Sequence, residues 1–128
     1  HLLSDAEYGH LLACWLDFLG DKTVEALPAV PAARAVTGYE DFYQRFSGQA
    51  EEEVLACLAG MISSEAGRRQ AGRYLIKAVC DSYQGEYDPH FLTGLGAALW
   101  VMEHSMDQAP LAMNALRQYV NFFFSRIS

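Results

Sequence analysis

A chain of 128 residues has the length of one ordinary domain, enough to bury a hydrophobic core without disulfides or metals. Hydrophobic residues make up 52% of the chain and charged residues 20%, a balance that excludes an intrinsically disordered protein. The 16 acidic and 9 basic residues give a net charge of −7, which argues against nucleic-acid binding and favours solubility. We therefore expect one soluble domain over residues 1–128. Binding to a basic protein partner is compatible with this charge.

The sequence predicts neither a membrane span nor secretion. Its longest stretch without a charge, residues 91–102, is too short to cross a bilayer and predicts a core helix. Cys14, Cys57 and Cys80 are odd in number, far apart and each within a helical pattern. A cytoplasmic protein with three reduced thiols is the expectation.

In chain order, the patterns predict five main helices and one short helix, with no strand. Ser4 and Glu7 form a capping box, which predicts the first helix over about residues 5–19. Its predicted apolar face consists of Tyr8, Leu11, Leu12, Trp15, Leu16, Phe18 and Leu19. Two prolines interrupt residues 21–38, so we expect a loop there with a turn or two of helix at most.

Two amphipathic helices are predicted next. The first is short and ends at Gly48, and its aromatic face follows the spacing i, i+3, i+4, i+7. That face, which we expect to pack on the core, consists of Tyr39, Phe42, Tyr43 and Phe46. The second starts near Gln49 with three glutamates, which suit the helix dipole. Its predicted buried face consists of Val54, Cys57, Leu58, Met61 and Ile62.

Three longer helices complete the predicted bundle. Ser63 or Ser64 caps a helix that reaches about Tyr83. Its predicted buried face consists of Leu75, Ile76, Val79, Cys80 and Tyr83. The helix over residues 89–104 is apolar almost all round, which predicts a place at the centre of the bundle. The last helix runs to about Arg126.

These elements predict an all-α fold, a single-domain irregular helical bundle of five to six helices. Its predicted core cluster contains Trp15, Leu58, Leu75, Leu95, Leu99 and Leu116.

No motif predicts catalysis or metal binding. Glu7 and His10 form one Glu-x-x-His motif, whereas a di-iron bundle needs two such motifs and two further glutamates. His90 and His104 lack the spacing of metal ligands. The cysteines are interpreted as unreactive thiols packed in the core, because the helical faces on which they lie are mostly apolar. We expect no catalytic residue, no metal and no cofactor.

A row of charges follows one face of the 64–83 helix at i, i+4 spacing: Glu65, Arg69, Arg73, Lys77 and Asp81. Its end pairs attract, but its three central cations repel one another, which a purely structural face has little reason to keep. One interpretation is a solvated face with weak ion pairs. The other is a docking site for an acidic partner, or for an acidic helix of this same chain. Arg68 projects toward the core margin and is predicted to pair with a carboxylate or a carbonyl.

The last helix carries a second, narrower apolar stripe beside its core stripe: Leu111, Ala115 and Phe122. Three aligned apolar positions favour a second contact surface. That contact is another helix of the bundle, a second copy in a symmetric dimer, or a different protein. The aromatic helix over residues 39–46, or the proline-containing segment before it, would also cover the stripe within the monomer.

The leading functional hypothesis is a non-enzymatic protein–protein interaction domain: an adaptor, a regulator, or an inhibitor of the immunity-protein type. Its candidate partner-binding residues are Arg68, Arg69, Arg73, Lys77, Leu111, Ala115 and Phe122. The alternative is a helical protein that binds a small apolar ligand between the 89–104 helix and its neighbours. A third class is an enzyme whose polar groups converge only in the fold. A protein partner is expected, nucleic acid and membranes are not, and a homodimer stays open.

Overall fold

The computed structural model describes residues 6, 7, 9–11, 29–85, 88–105 and 108–127. Within these residues the chain forms helices and no strand, which confirms the predicted all-α bundle. The helical residues near the start of the chain agree with the first predicted helix, but Leu11, expected on its apolar face, is exposed. The rest of that predicted face, Trp15 included, lies outside the described residues.

Five helices have both ends within the described residues: α1 (Tyr39–Ser47), α2 (Glu51–Met61), α3 (Glu65–Ser82), α4 (His90–His104) and α5 (Ala109–Ile127). The starts of α3 and α4 follow capping residues of the sequence. The hydroxyl of Ser64 accepts a hydrogen bond from the backbone N–H of Gly67 at 3.0 Å and so caps α3. Before α4, the carboxylate of Asp88 accepts a hydrogen bond from the backbone N–H of His90, with the oxygen and nitrogen 2.9 Å apart.

One hydrophobic cluster joins all five helices. Of the predicted core residues, it contains Leu58, Leu75, Leu95 and Leu116. Leu99 is only partly buried at the edge of this cluster. On α1, Phe42 and Phe46 are fully buried, and the ring centroid of Phe46 lies 5.6 Å from that of Phe123 on α5. The aromatic face of α1 is therefore part of the core, as its spacing predicts.

The buried face of α3 differs from the predicted one. Leu75 and Val79 are buried as expected, together with two alanines, Ala71 and Ala78. Three residues that were predicted to face inward are exposed instead: Ile76, Cys80 and Tyr83. The reason is the position of α1, which packs on the Tyr74 side of α3 and turns the alanines toward the core.

The prediction that α4 lies at the centre of the bundle is wrong, because one face of α4 is exposed. Helix α5 packs against both α2 and α4, whereas α4 packs chiefly on α5. The outer face of α4 is open: Leu92 is 73% exposed and Trp100 is 37% exposed. An apolar surface all round a helix does not by itself require neighbours on every side.

The corner between α2 and α3 is tight. A side-chain Cβ at position 67 would overlap the carbonyl oxygen of Met61, so only glycine fits there without a shift. Across the same corner, the guanidinium of Arg68 donates to the carbonyl oxygen of Ile62 at 3.0 Å. This bond confirms the prediction that Arg68 pairs with a carboxylate or a carbonyl.

Candidate interaction surface

The candidate site is a row of basic side chains on the outer face of α3, which we call the α3 basic row: Arg69, Arg73 and Lys77. All three residues are exposed. A guanidinium nitrogen of Arg69 lies 3.2 Å from the carboxylate of Glu65, and the ammonium of Lys77 lies 3.0 Å from that of Asp81. Such exposed pairs contribute about 1 kcal/mol or less, so they do not by themselves explain the row.

Arg73, at the middle of the row, has no ion pair among the residues that the structure describes. Arg69 and Lys77 lie one helical turn away on either side, where like charges at i, i+4 spacing destabilise a helix. The middle of the row is therefore an exposed cation between two other cations, without a local carboxylate to offset it.

The C-terminal end of the row is fixed to α1. The ammonium of Lys77 lies 4.7 Å from the ring centroid of Tyr39, a cation–π contact. The Tyr39 hydroxyl donates to the carboxylate of Asp81 at 2.7 Å. Hydrogen bonds from Tyr39 and Lys77 hold the pKa of Asp81 below its usual range, while burial and the same carboxylate raise the pKa of Tyr39. Lys77 is thus held in place by two contacts, whereas Arg73 has no such restraint.

Exposed apolar side chains adjoin the row on its α4 side. Ile76 of α3 is 47% exposed and Tyr83, which directly follows α3, is 46% exposed. Leu92 and Trp100 lie on the open face of α4. The Trp100 ring stacks on the ring of His104 with centroids 4.0 Å apart. Sequence reasoning placed these apolar residues in the core. For α4 the signal was a helix that is apolar almost all round, which we interpreted as a central helix but which in a small bundle also fits an open contact face.

The remaining predicted site residues do not join this surface. Arg68 is half-buried at the α2–α3 corner. On α5, Ala115 is 6% exposed, and Leu111 and Phe122 are partly buried against the core. The ring of Phe122 lies 5.9 Å from that of Phe91 on α4. Within the second stripe of α5, Phe122 therefore contacts α4, which agrees with the first of the three predicted alternatives, another helix of the bundle.

The described residues offer few groups for chemistry. Among them, no cluster of histidine, cysteine and acidic residues could hold a metal ion. Cys57 is buried, and this burial raises the pKa of its thiol and disfavours the reactive thiolate. Cys80 is exposed on α3, contrary to the prediction, and Cys14 lies outside the described residues.

Two clefts bear on the alternative of a small apolar ligand. An open cleft of about 340 Å³ lies beside Gln70 and Tyr74, where residues 33–36 cross the α2–α3 corner. A smaller one of about 120 Å³ lies beside Val30 and Met102. Ligand pockets are typically enclosed and apolar, with volumes of roughly 300–1,000 Å³. The larger cleft is open with a mixed lining, and the smaller one falls below this range.

In the part of the chain that the structure covers, no helix has the length and apolar character needed to cross a membrane. No protein-family model matches the chain, and comparisons with curated proteins and with solved structures gave no match.

Proposed function

We propose that this chain is a non-enzymatic protein-interaction domain, an adaptor, regulator or inhibitor, that binds an acidic surface of a partner protein through the α3 basic row. The observation that carries the proposal is the position of Arg73. Its side chain is exposed, lies between two cations and has no ion pair among the described residues.

The charge distribution supports the same function. Four of the nine basic residues of a chain with net charge −7 lie within residues 68–77. A local basic patch on an acidic protein directs an acidic partner to one place and repels it elsewhere. A bound acidic partner would also offset the repulsion between neighbouring cations of the row, which amounts to a few tenths of a kcal/mol per like-charged pair.

The test uses a partner captured from the native host with the full chain and then purified. Arg73→Glu is expected to weaken binding about tenfold or more, which corresponds to about 1.4 kcal/mol. Affinity is also expected to fall as salt is raised, because exposed charges are screened. Titration calorimetry at low and high salt measures both effects.

A matched pair of variants controls for total charge. Arg73→Gln and Gln44→Glu each make the net charge more negative by one, but Gln44 lies on the exposed surface of α1. Only Arg73→Gln is expected to weaken binding, and circular dichroism checks that both variants stay folded. If the affinity for the partner is independent of salt and unchanged by Arg73→Glu, the row is only a solvated face.

A further inference from the structure

Exposed apolar side chains lie on both sides of the contact between α3 and α4, beside the α3 basic row. We call this surface the α3–α4 furrow, and its members are Ile76, Tyr83, Leu92 and Leu99. Leu99 is half-buried and the other three are exposed. Exposed apolar surface with charged residues along one side is typical of a contact site.

The two helices that form the furrow approach each other closely. A Cβ built at Gly72 would lie 3.9 Å from a methyl carbon of Leu99, so these two residues face each other. Only residues 83–89 connect α3 to α4, and such a short connection makes neighbouring helices antiparallel. Leu92 therefore lies beside the C-terminal half of α3, at the same end of the furrow as Tyr83.

The dimensions of the furrow match a short helix. Leu92 and Leu99 are seven residues apart on α4, whereas Ile76 lies on α3 and Tyr83 directly follows the end of that helix. At 1.5 Å per residue the α4 row is about 10 Å long, or two helical turns. Two rows of side chains on adjacent helices form ridges, and the groove between them accepts the ridge of a third helix.

Arg69 and Arg73 of the α3 basic row belong to the same surface. Arg69 and Arg73 precede Ile76 by seven and three positions, so their side chains lie on the same face of α3. A partner seated in the furrow would therefore meet apolar groups along its centre and cations along its α3 side.

We infer that the α3–α4 furrow receives an amphipathic helix of a partner protein, with its apolar stripe in the furrow and its acidic residues against Arg69 and Arg73. This inference rests on the proposed function and specifies the kind of acidic partner. An extended segment fits less well, because the described residues offer no strand edge to pair its backbone, whereas a helix satisfies its own hydrogen bonds.

The experiment titrates the full chain, labelled for NMR, with two synthetic helical peptides of about fifteen residues. Both peptides carry the same leucine stripe, and the residues along one side of it are glutamate in one peptide and lysine in the other. The glutamate peptide is expected to bind about tenfold or more tightly than the lysine peptide. Its binding is expected to shift the amide resonances of α3 and α4 more than those of α1.

Variants then separate the furrow from the basic row. Leu92→Asp is expected to weaken the glutamate peptide about tenfold or more, because it places a carboxylate in the apolar contact. Thr93→Asp is the matched control, since it adds the same charge in the same turn of α4 but outside the furrow. Arg73→Glu is expected to remove the preference for glutamate over lysine.

The outcomes distinguish this inference from the proposed function. If Arg73→Glu weakens the glutamate peptide and Leu92→Asp does not, the furrow is not the site and the proposed function stands. If neither peptide binds, or both bind equally, the inference is wrong, and the calorimetry with the native partner decides the function separately.

Two other occupants of the furrow are tested with the same samples. If Leu92→Asp without peptide shifts the resonances of residues 5–19, the furrow holds a segment of the chain itself. If Leu92→Asp dissolves a dimer seen by light scattering, the furrow holds a second copy. Either result overturns the inference.

Discussion

Helices α4 and α5 pack on each other and have similar buried faces, but their outer faces differ. On α5, polar side chains face outward and are bonded to α2: Arg117 lies 2.6 Å from the carboxylate of Glu52, and Asn121 donates to Glu51 at 3.0 Å. On α4, the outward side chains include Leu92 and Trp100. The apolar content of a helix therefore does not give its depth in a bundle, because an outward apolar face can also be a contact surface.

The largest effect is expected from truncating the buried side of this pair of helices. Leu116→Ala on α5 removes a side chain with no exposed surface and is expected to cost about 2–5 kcal/mol of unfolding free energy. Leu92→Ala on the open face of α4 is expected to cost less than about 0.5 kcal/mol. Urea unfolding of both variants measures the difference. A similar loss for both would mean that Leu92 is covered in solution.

A smaller effect is expected from the bond that joins the two helices in the core. The Tyr119 hydroxyl on α5 donates to the carbonyl oxygen of Phe91 on α4 at 2.7 Å, and its burial raises the pKa of this tyrosine. Tyr119→Phe is expected to cost about 1 kcal/mol, the usual value of a buried hydrogen bond. Tyr83→Phe, at an exposed tyrosine, is the control and is expected to be neutral within about 0.5 kcal/mol. Equal stability of the two variants would contradict this role of the bond.

Much of the fold follows from local sequence signals. The Ser64 cap, the aromatic spacing of α1 and four of the five predicted core leucines appear in the structure as predicted. These features depend on neighbours a few residues away, or on a single apolar face. The basic row was also predicted, because spacing of four residues on a helix fixes a shared face.

The furrow could not be predicted in the same way. The sequence shows that Ile76 and Leu92 are apolar, but their exposure depends on which sides of α3 and α4 the other helices occupy. That arrangement is set by packing between segments distant in the chain, such as α1 on the Tyr74 side of α3. For the same reason, the sequence left open which contact the stripe of Leu111, Ala115 and Phe122 makes, and the structure places Phe122 against Phe91 of α4.

The smallest effect is expected at the polar end of the α4–α5 contact, and only in acid. The backbone N–H of His90 is the main cause that lowers the pKa of Asp88, and the side chains of His90 and Arg126 add to it. Because this pKa is depressed in the folded state, its stabilisation is present above the unfolded value of about 4 and lost as pH falls through the folded value.

As pH falls below about 4, Asp88→Asn is therefore expected to lose less stability than wild type. Thermal unfolding at about pH 6 and about pH 3 measures the two slopes. An unchanged acid dependence in Asp88→Asn would show that this carboxylate does not link the start of α4 to the end of α5.

The tight corner at Gly67 reverses an ordinary rule of helix design. Alanine stabilises the interior of most helices by about 1 kcal/mol over glycine, but a methyl group at position 67 would overlap the Met61 carbonyl. Any side chain at position 67 therefore requires a shift of the α2–α3 corner. Because this corner fixes where α3 leaves α2, the direction in which the α3 basic row faces depends on glycine at position 67.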